Sequence, residues 1–376
     1  MEKTIEINRI PSITWNWMKM NKDNVTIDFA LKSLNPKISV PFENKNSDVI
    51  TEKNCFKVFS PDSSITSEVG KLLEERRKTF ADKISTAAGE EISNLIEETS
   101  KPVIITANGI INEPLYLNFT QEKDSHCTSY QIIHAFPNTE CTVIFLYESR
   151  DEEESFAALH TKIFLEEGAK VHVVKVQLLG NDANQIDDTS FLCGERSQAK
   201  FTQIELGGKH IDSGLYTTLS GYKSDFKSNV AYLSINDQYL DMNHVVLHKG
   251  QKTECNMDVY GTIGGSALKS YRGTIDFKKG CSGAKGNEME ETLLLSPTVI
   301  NKSLPVILCD EEDVEGEHGA TLGRLSSDIL FYMQTRGIDQ KAAEKLMAKA
   351  KVKRAAANIP DEEICKKISS FIDNRI

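Results

Sequence analysis

Two side chains able to ligate a metal, Glu317 and His318, stand side by side in Leu304-Pro-Val-Ile-Leu-Cys-Asp-Glu-Glu-Asp-Val-Glu-Gly-Glu-His-Gly-Ala-Thr-Leu-Gly323. Imidazole is a borderline donor suited to iron, zinc or copper, and carboxylate is a harder one. Cys309, nine residues upstream of His318, offers a thiol, although a buried core cysteine is the expectation for it. His244 and His248 form a second His pair, with Val245-Val246-Leu247 between them. That filling favours a strand, in which positions four apart lie about 13 Å from each other, so one ion is not bound by both. Gly261-Thr-Ile-Gly-Gly-Ser266 lacks the Lys-Ser/Thr ending of a phosphate-cradling loop and reads as a turn, so any ATP hydrolysis must come from a partner. No closely paired acids mark a hydrolase.

These residues need a scaffold, and the chain has the length for one. It holds 376 residues, 39% hydrophobic and 26% charged, enough for one large domain with appendages or for two or three smaller ones. A net charge of −11 argues against wholesale nucleic-acid binding, which needs a basic face. Met1-Glu-Lys-Thr-Ile-Glu-Ile has no apolar leader core, and no apolar run reaches the roughly 18 residues that span a bilayer, so a cytoplasmic address is the expectation. The eight cysteines form no CxxC pair and are expected to be free.

Three textures follow along the chain. Residues 1–101 are irregular and then helical: Leu72, Leu73, Phe80, Ile84, Ile92, Leu95 and Ile96 recur at helical spacing from Ser67 to Glu98, and Lys101-Pro102 closes the helix. Residues 102–324 read as short strands punctuated by Gly, Asn and Asp, which suits a sandwich, a barrel or an irregular β-helix. Residues 325–376 read as three helices. Ser326 or Ser327 caps the first, which ends at Gly337; Asp339 caps the second, and Pro360-Asp-Glu-Glu opens the third. Ile364, Ile368, Phe371 and Ile372 form one apolar stripe, placed to pack on the body or on a partner. Lys341, Lys345, Lys349, Lys351, Lys353 and Arg354 form a basic helix suited to solvent or to an acidic partner surface.

Asp241-Met-Asn-His244 with His248, Tyr271-Arg-Gly-Thr-Ile275, Leu293-Leu-Leu-Ser296, Leu304-Pro305, Asp313-Val314, His318-Gly-Ala-Thr321 and Leu330-Phe-Tyr-Met-Gln-Thr-Arg-Gly-Ile338 resemble the SufB/SufD family, the scaffolds of the Suf iron–sulfur cluster assembly system. The resemblance covers about residues 200–376, and Pro11-Ser-Ile-Thr-Trp-Asn-Trp17 is more loosely similar to a family N-terminus. It implies a right-handed parallel β-helix between helical ends, pairing through the β-helix with a SufB-like subunit or a second copy of itself. It also implies docking of a SufC-like ABC-type ATPase by the C-terminal helices, where Leu330, Phe331, Tyr332, Arg336 and Gly337 carry the motif.

By the same resemblance His318 is the metal-site residue at the dimer interface and Glu317 matches the B type; Cys309, by its position nine residues upstream, is a further cluster-assembly candidate as a substitute thiol. Gly316-Glu317-His318-Gly319-Ala320-Thr321 blends the D-type and B-type forms of this segment. Gly316 and Val299 stand where D-type and B-type members carry cysteine, and the chain is closer to the D type. The expected function is a non-catalytic, D-like scaffold that supports a transient iron–sulfur cluster at the interface, with a reduced flavin possible in the complex. A homodimeric scaffold serving the ATPase alone is the alternative, and a metal-dependent β-helix enzyme using His318 and Glu317 is a more distant one.

Overall fold

The computed structural model describes residues 2–12, 19–28, 31–39, 54–59, 84–151 and 153–376. Of the expected N-terminal helix, Leu72, Leu73 and Phe80 lie outside the described residues, as does the 13–18 part of the loosely similar N-terminus. Residues 84–89 are not helical: the helix α1 (Glu90–Thr99) starts after Gly89, whose φ of 121° interrupts the run. Its Ile92, Leu95 and Ile96 are buried as the periodicity required.

An antiparallel pair, β1 (Glu2–Ile7) and β2 (Asp23–Asp28), forms its own small sheet and buries Ile5, Ile7 and Ile27 against α1 and residues such as Ile104 and Ile132. The rest is a β-solenoid of about eight turns built from two facing sheets. The first sheet runs β5 (Cys55–Phe59), β6 (Val103–Asn108), β8 (His126–Ala135), β10 (Ser155–Leu165), β12 (Ala183–Cys193), β14 (His210–Leu219), β16 (Tyr239–His248), β18 (Leu268–Phe277) and β20 (Ile300–Cys309), with β3 (Lys32–Ser33) beside β8. The second runs β4 (Lys37–Ser39), β7 (Leu115–Gln121), β9 (Glu140–Ser149), β11 (Lys170–Leu179), β13 (Gln198–Gly207), β15 (Asp225–Ser234), β17 (Glu254–Ile263), β19 (Ala284–Leu294) and β21 (Val314–Gly323). From β6 onward every pairing along the sheets is parallel, so the fold is the parallel β-helix among the three architectures left open by the strand pattern.

One corner of six successive turns is a single residue with positive φ whose N–H donates to the next turn's carbonyl. Asn138 donates to Glu167 (2.9 Å), Gly168 to Glu195 (2.8 Å), Arg196 to Tyr222 (2.9 Å), Lys223 to Gln251 (3.0 Å), Lys252 to Ser282 (3.0 Å) and Gly283 to Asp313 (2.7 Å). The repeat is thus one of backbone geometry, filled by four residue types.

The lumen between the sheets is apolar along one side, from Phe56 and Val103 to Phe277 and Ala284. Its other side is polar. Lys175 Nζ lies 2.6 Å from Asp187 Oδ1 and 3.0 Å from Thr161 Oγ1, and Gln203 Nε2 donates to Glu205 Oε1 at 2.6 Å. Burial, reinforced by Asp187, pushes the Glu205 carboxyl from its ordinary 4.5 up to about 8, against the attraction of Lys175. A carboxyl so raised contributes stability that is complete below about pH 4.5 and lost as pH rises through about 8. Glu205→Gln is therefore expected to gain on wild type as pH rises from 6 to 9, by a few kcal/mol at most in urea unfolding. A difference that stays constant over that range rules the account out.

Helices close the outer faces. The helices α2 (Ser327–Thr335), α3 (Gln340–Ala356) and α4 (Glu362–Arg375) begin at Ser326, Asp339 and Asp361, each accepting an N–H three residues on. Ile364, Ile368 and Ile372 of α4 and Val352 of α3 bury against Ile144, Val174, Val176 and Ile204 of the second sheet, so the stripe packs on the body of its own chain. The basic helix likewise meets acid within the chain: Lys351 and Arg354 pair with Glu291, and Lys345 and Lys349 with Asp373. Among the described residues no helix is long and apolar enough to cross a membrane.

Candidate functional site

The last turn leaves the solenoid open. Among the described residues β20 pairs only with β18 and β21 only with β19, so each presents an unpaired row of N–H and C=O groups. Leu304 is the one buried residue in these two strands. Such edges template addition of another chain unless something blunts them.

Strand alternation decides where the candidates point. In β19 the residues Ala284, Gly286, Glu288, Glu290 and Thr292 are buried toward the lumen, and their partners in β21 are Val314, Gly316, His318, Ala320 and Leu322. His318 therefore continues the lumenal row at its mouth, one strand spacing (about 5 Å) above Glu288. Glu317 is in the opposite row, beside Asn287 and Lys285 in a shallow outer cleft of about 210 Å³. The two residues read as a pair thus lie on opposite faces of one strand and do not share an ion within one chain. Both are exposed.

Cys309, expected in the core, is exposed at the end of β20, where its Sγ donates to the Glu311 carbonyl at 3.0 Å. Four residues of strand, about 13 Å, separate Val314 at the next corner from His318, so Cys309 is not brought to the imidazole. All eight cysteines are free. A Cβ at Gly316 would stand 3.0 Å from Phe277 and 3.3 Å from Ile307, which makes that position lumenal and apolar.

The floor beneath His318 escaped the sequence reading. Burial raises the Glu288 carboxyl to about 7, against the pull of the Tyr271 hydroxyl and with help from Glu290. Gly273 makes room for it: a Cβ there would fall 1.9 Å from Glu288 Oε1. Glu290 is ion-paired with the wholly buried Lys269, whose Nζ also reaches Ser303 Oγ at 3.2 Å. Thr292 donates to Glu290 at 3.0 Å and shares a 2.8 Å hydrogen bond with Tyr232. His244 faces the same lumen edge-on to Tyr271, both ring nitrogens unpartnered among the described residues, and burial pushes its pKa down to about 3. His248 bonds Thr253 at 2.7 Å and stacks on Phe277, so the two histidines are separate core groups. The missed signal was phase: Glu288 and Glu290 share the parity of Ala284 and Gly286, which shows only once the turns are stacked.

One imidazole at the mouth and one carboxyl that titrates near neutrality can bind a borderline cation or pass a proton. A cluster of several metal ions needs more donors, and the open edge is where another chain could supply them.

Beyond the edge, α2 exposes most of its surface. Phe331 is 69% and Tyr332 60% exposed, with the Arg336 guanidinium 5.4 Å from the Tyr332 ring centroid. Leu330 is half-buried, and Gly337 ends the helix at φ 81°.

The family model described as "SUF system FeS cluster assembly, SufBD core domain" matches residues 118–351. The chain is 26% identical over 183 residues to a chloroplastic iron–sulfur cluster assembly SufBD family protein of Arabidopsis thaliana, covering 49% of this chain and 33% of that protein. It is 28% identical over 131 residues to the iron–sulfur cluster assembly protein SufD of Bacillus subtilis, covering 35% and 30%. With SufD of Escherichia coli it shares 22% over 239 residues, covering 63% and 56%. The matches thus span from about a third to just over half of these relatives' lengths. The family match takes in more than half of the present chain and the later turns up to the open edge, and the chain belongs to the SufBD family of the SUF iron–sulfur cluster assembly system.

Proposed function

We propose that this chain is a D-like scaffold subunit of iron–sulfur cluster assembly, working without catalysis of its own. The observation that carries the reading is the unpaired β20/β21 edge, with His318 at the lumenal mouth above Glu288. A SufB-like partner pairs along that edge and completes the donor set, and a SufC-like ATPase docks on the exposed face of α2. The names of the relatives support the cluster as the product. A second copy of this chain in place of the SufB-like subunit is favoured by one feature, the mixed Glu317-His318-Gly319 motif.

The test is reconstitution of the copurified complex under anaerobic conditions, counting iron and sulfide and following absorbance. His318→Ala, an exposed position, is expected to leave the fold intact and reduce cluster yield several-fold; an unchanged yield removes His318 from the site. Phe331→Ala with Tyr332→Ala is expected to abolish copurification with the ATPase. Retained binding by that double variant sinks the docking assignment.

A further inference from the structure

Away from the open end, Asp23 at the start of β2 meets His210 and Asp212 at the start of β14. His210 and Asp212, two apart on one strand, point from the same outer face of the first sheet. One ligand atom from each of the three residues lies within 4.8 Å of the others. His210 Nε2 stands 3.1 Å from Asp212 Oδ2 and 3.8 Å from Asp23 Oδ2. Donors bound at about 2.0–2.1 Å to one tetrahedral ion sit about 3.3 Å apart, a value between those two distances.

Among the described residues Asp212 Oδ1 is buried with no hydrogen-bond partner, while His210 Nε2 faces the two aspartates and the Tyr239 hydroxyl also faces Asp23. Asp212 is 1% exposed, and no described lysine or arginine pairs with it as Arg272 pairs with the neighbouring Asp241. A buried carboxylate with a free oxygen is costly unless something positive fills the gap. Beside the triad lies a cavity of about 310 Å³ lined by Asn24, Asn184, His210 and Asp212, with room for water on an ion's remaining positions.

We infer that Asp23, His210 and Asp212 form a binding site for one divalent first-row transition-metal ion of the zinc(II) or iron(II) class. One imidazole with two carboxylates is a borderline-to-hard donor set, unsuited to copper(I), which prefers sulfur. The ion joins the β1–β2 pair to the solenoid, because Asp23 belongs to the pair and the other two ligands to β14. In the metal-free chain a proton takes this place: burial opposes charge on His210, but Asp212 and Asp23 outweigh it and hold the ring's pKa at about 10. The site is independent of the open end and of the assembly reading.

Equilibrium dialysis of the full chain against Zn(II), with Co(II) as the spectroscopic probe, tests it. Wild type is expected to bind one more equivalent of Zn(II) than His210→Gln or Asp23→Asn. Co(II) at that site should show visible d–d bands without a thiolate charge-transfer band, which separates it from cysteine binding. Zn(II) should also raise the Tm of wild type and not of the variants. Asp23→Asn guards against misfolding, since Asp23 lies on the peripheral pair, and circular dichroism checks both variants. Equal stoichiometry in wild type and Asp23→Asn, or a Co(II) spectrum that keeps its bands in folded His210→Gln, overturns the proposal and leaves a protonated histidine between two carboxylates.

Discussion

Arg272→Ala is expected to destabilise the chain by about 3–5 kcal/mol, the cost of breaking a buried ion pair by removing one partner. Arg272 is 1% exposed, with Nη1 2.5 Å from Asp241 Oδ1 and Nε donating to the Met20 carbonyl. Asp241, wholly buried, also accepts from Asn8 Nδ2 at 2.7 Å. The pair therefore fastens two N-terminal segments, around Asn8 and around Met20, to adjacent turns of the solenoid. Without the guanidinium the carboxylate has no cation, and burial drives its pKa up further. Arg272→Met combined with Asp241→Leu, which removes both charges, should recover much of the loss in urea unfolding. A single variant within about 1 kcal/mol of wild type would show that water or another cation reaches Asp241.

Removing residues 327–376 is expected to cost still more. Val352, Ile364, Ile368 and Ile372 are buried on the outer face of the second sheet, and at about 1.5–3 kcal/mol each they contribute roughly 6–12 kcal/mol before chain entropy. The truncated chain should bind a hydrophobic dye and aggregate, exposing Ile144, Val174, Val176 and Ile204. A monodisperse, dye-silent truncation would mean the sheet face tolerates water. The same packing makes this deletion a poor probe of ATPase docking, because it uncovers the body as well as removing α2. Substitutions at the exposed Phe331 and Tyr332 leave the packed helices in place.

Caps and periodicity were legible in the chain. Ser326, Asp339 and Asp361 start helices because their side chains accept local N–H groups, a bond between neighbours in sequence. The strands were legible too, from alternation and turn residues. The motif residues Asp241 and Arg272 were visible, but their role was not: they are 31 residues apart in sequence and meet only because one turn stacks on the next. The pairing of Glu317 with His318 was misread because neighbours in sequence are opposite in a strand. Cys309 was misread because it ends the last turn, where no further described strand covers it.

By itself the sequence determined the local elements, the family resemblance and His318 as the residue to test. Those rest on contacts within a few residues and on motifs that survive without knowledge of register. The parallel β-helix was implied by the resemblance and not by the strand pattern, and only the tertiary structure decided its register, the acidic floor under His318 and the meeting of Asp23 with His210 and Asp212. Each depends on stacking residues from successive turns, or from the N-terminal pair, at a register kept by positive-φ corners. Asparagine, glycine, arginine and lysine all fill those corners, so the repeat leaves little trace in residue type.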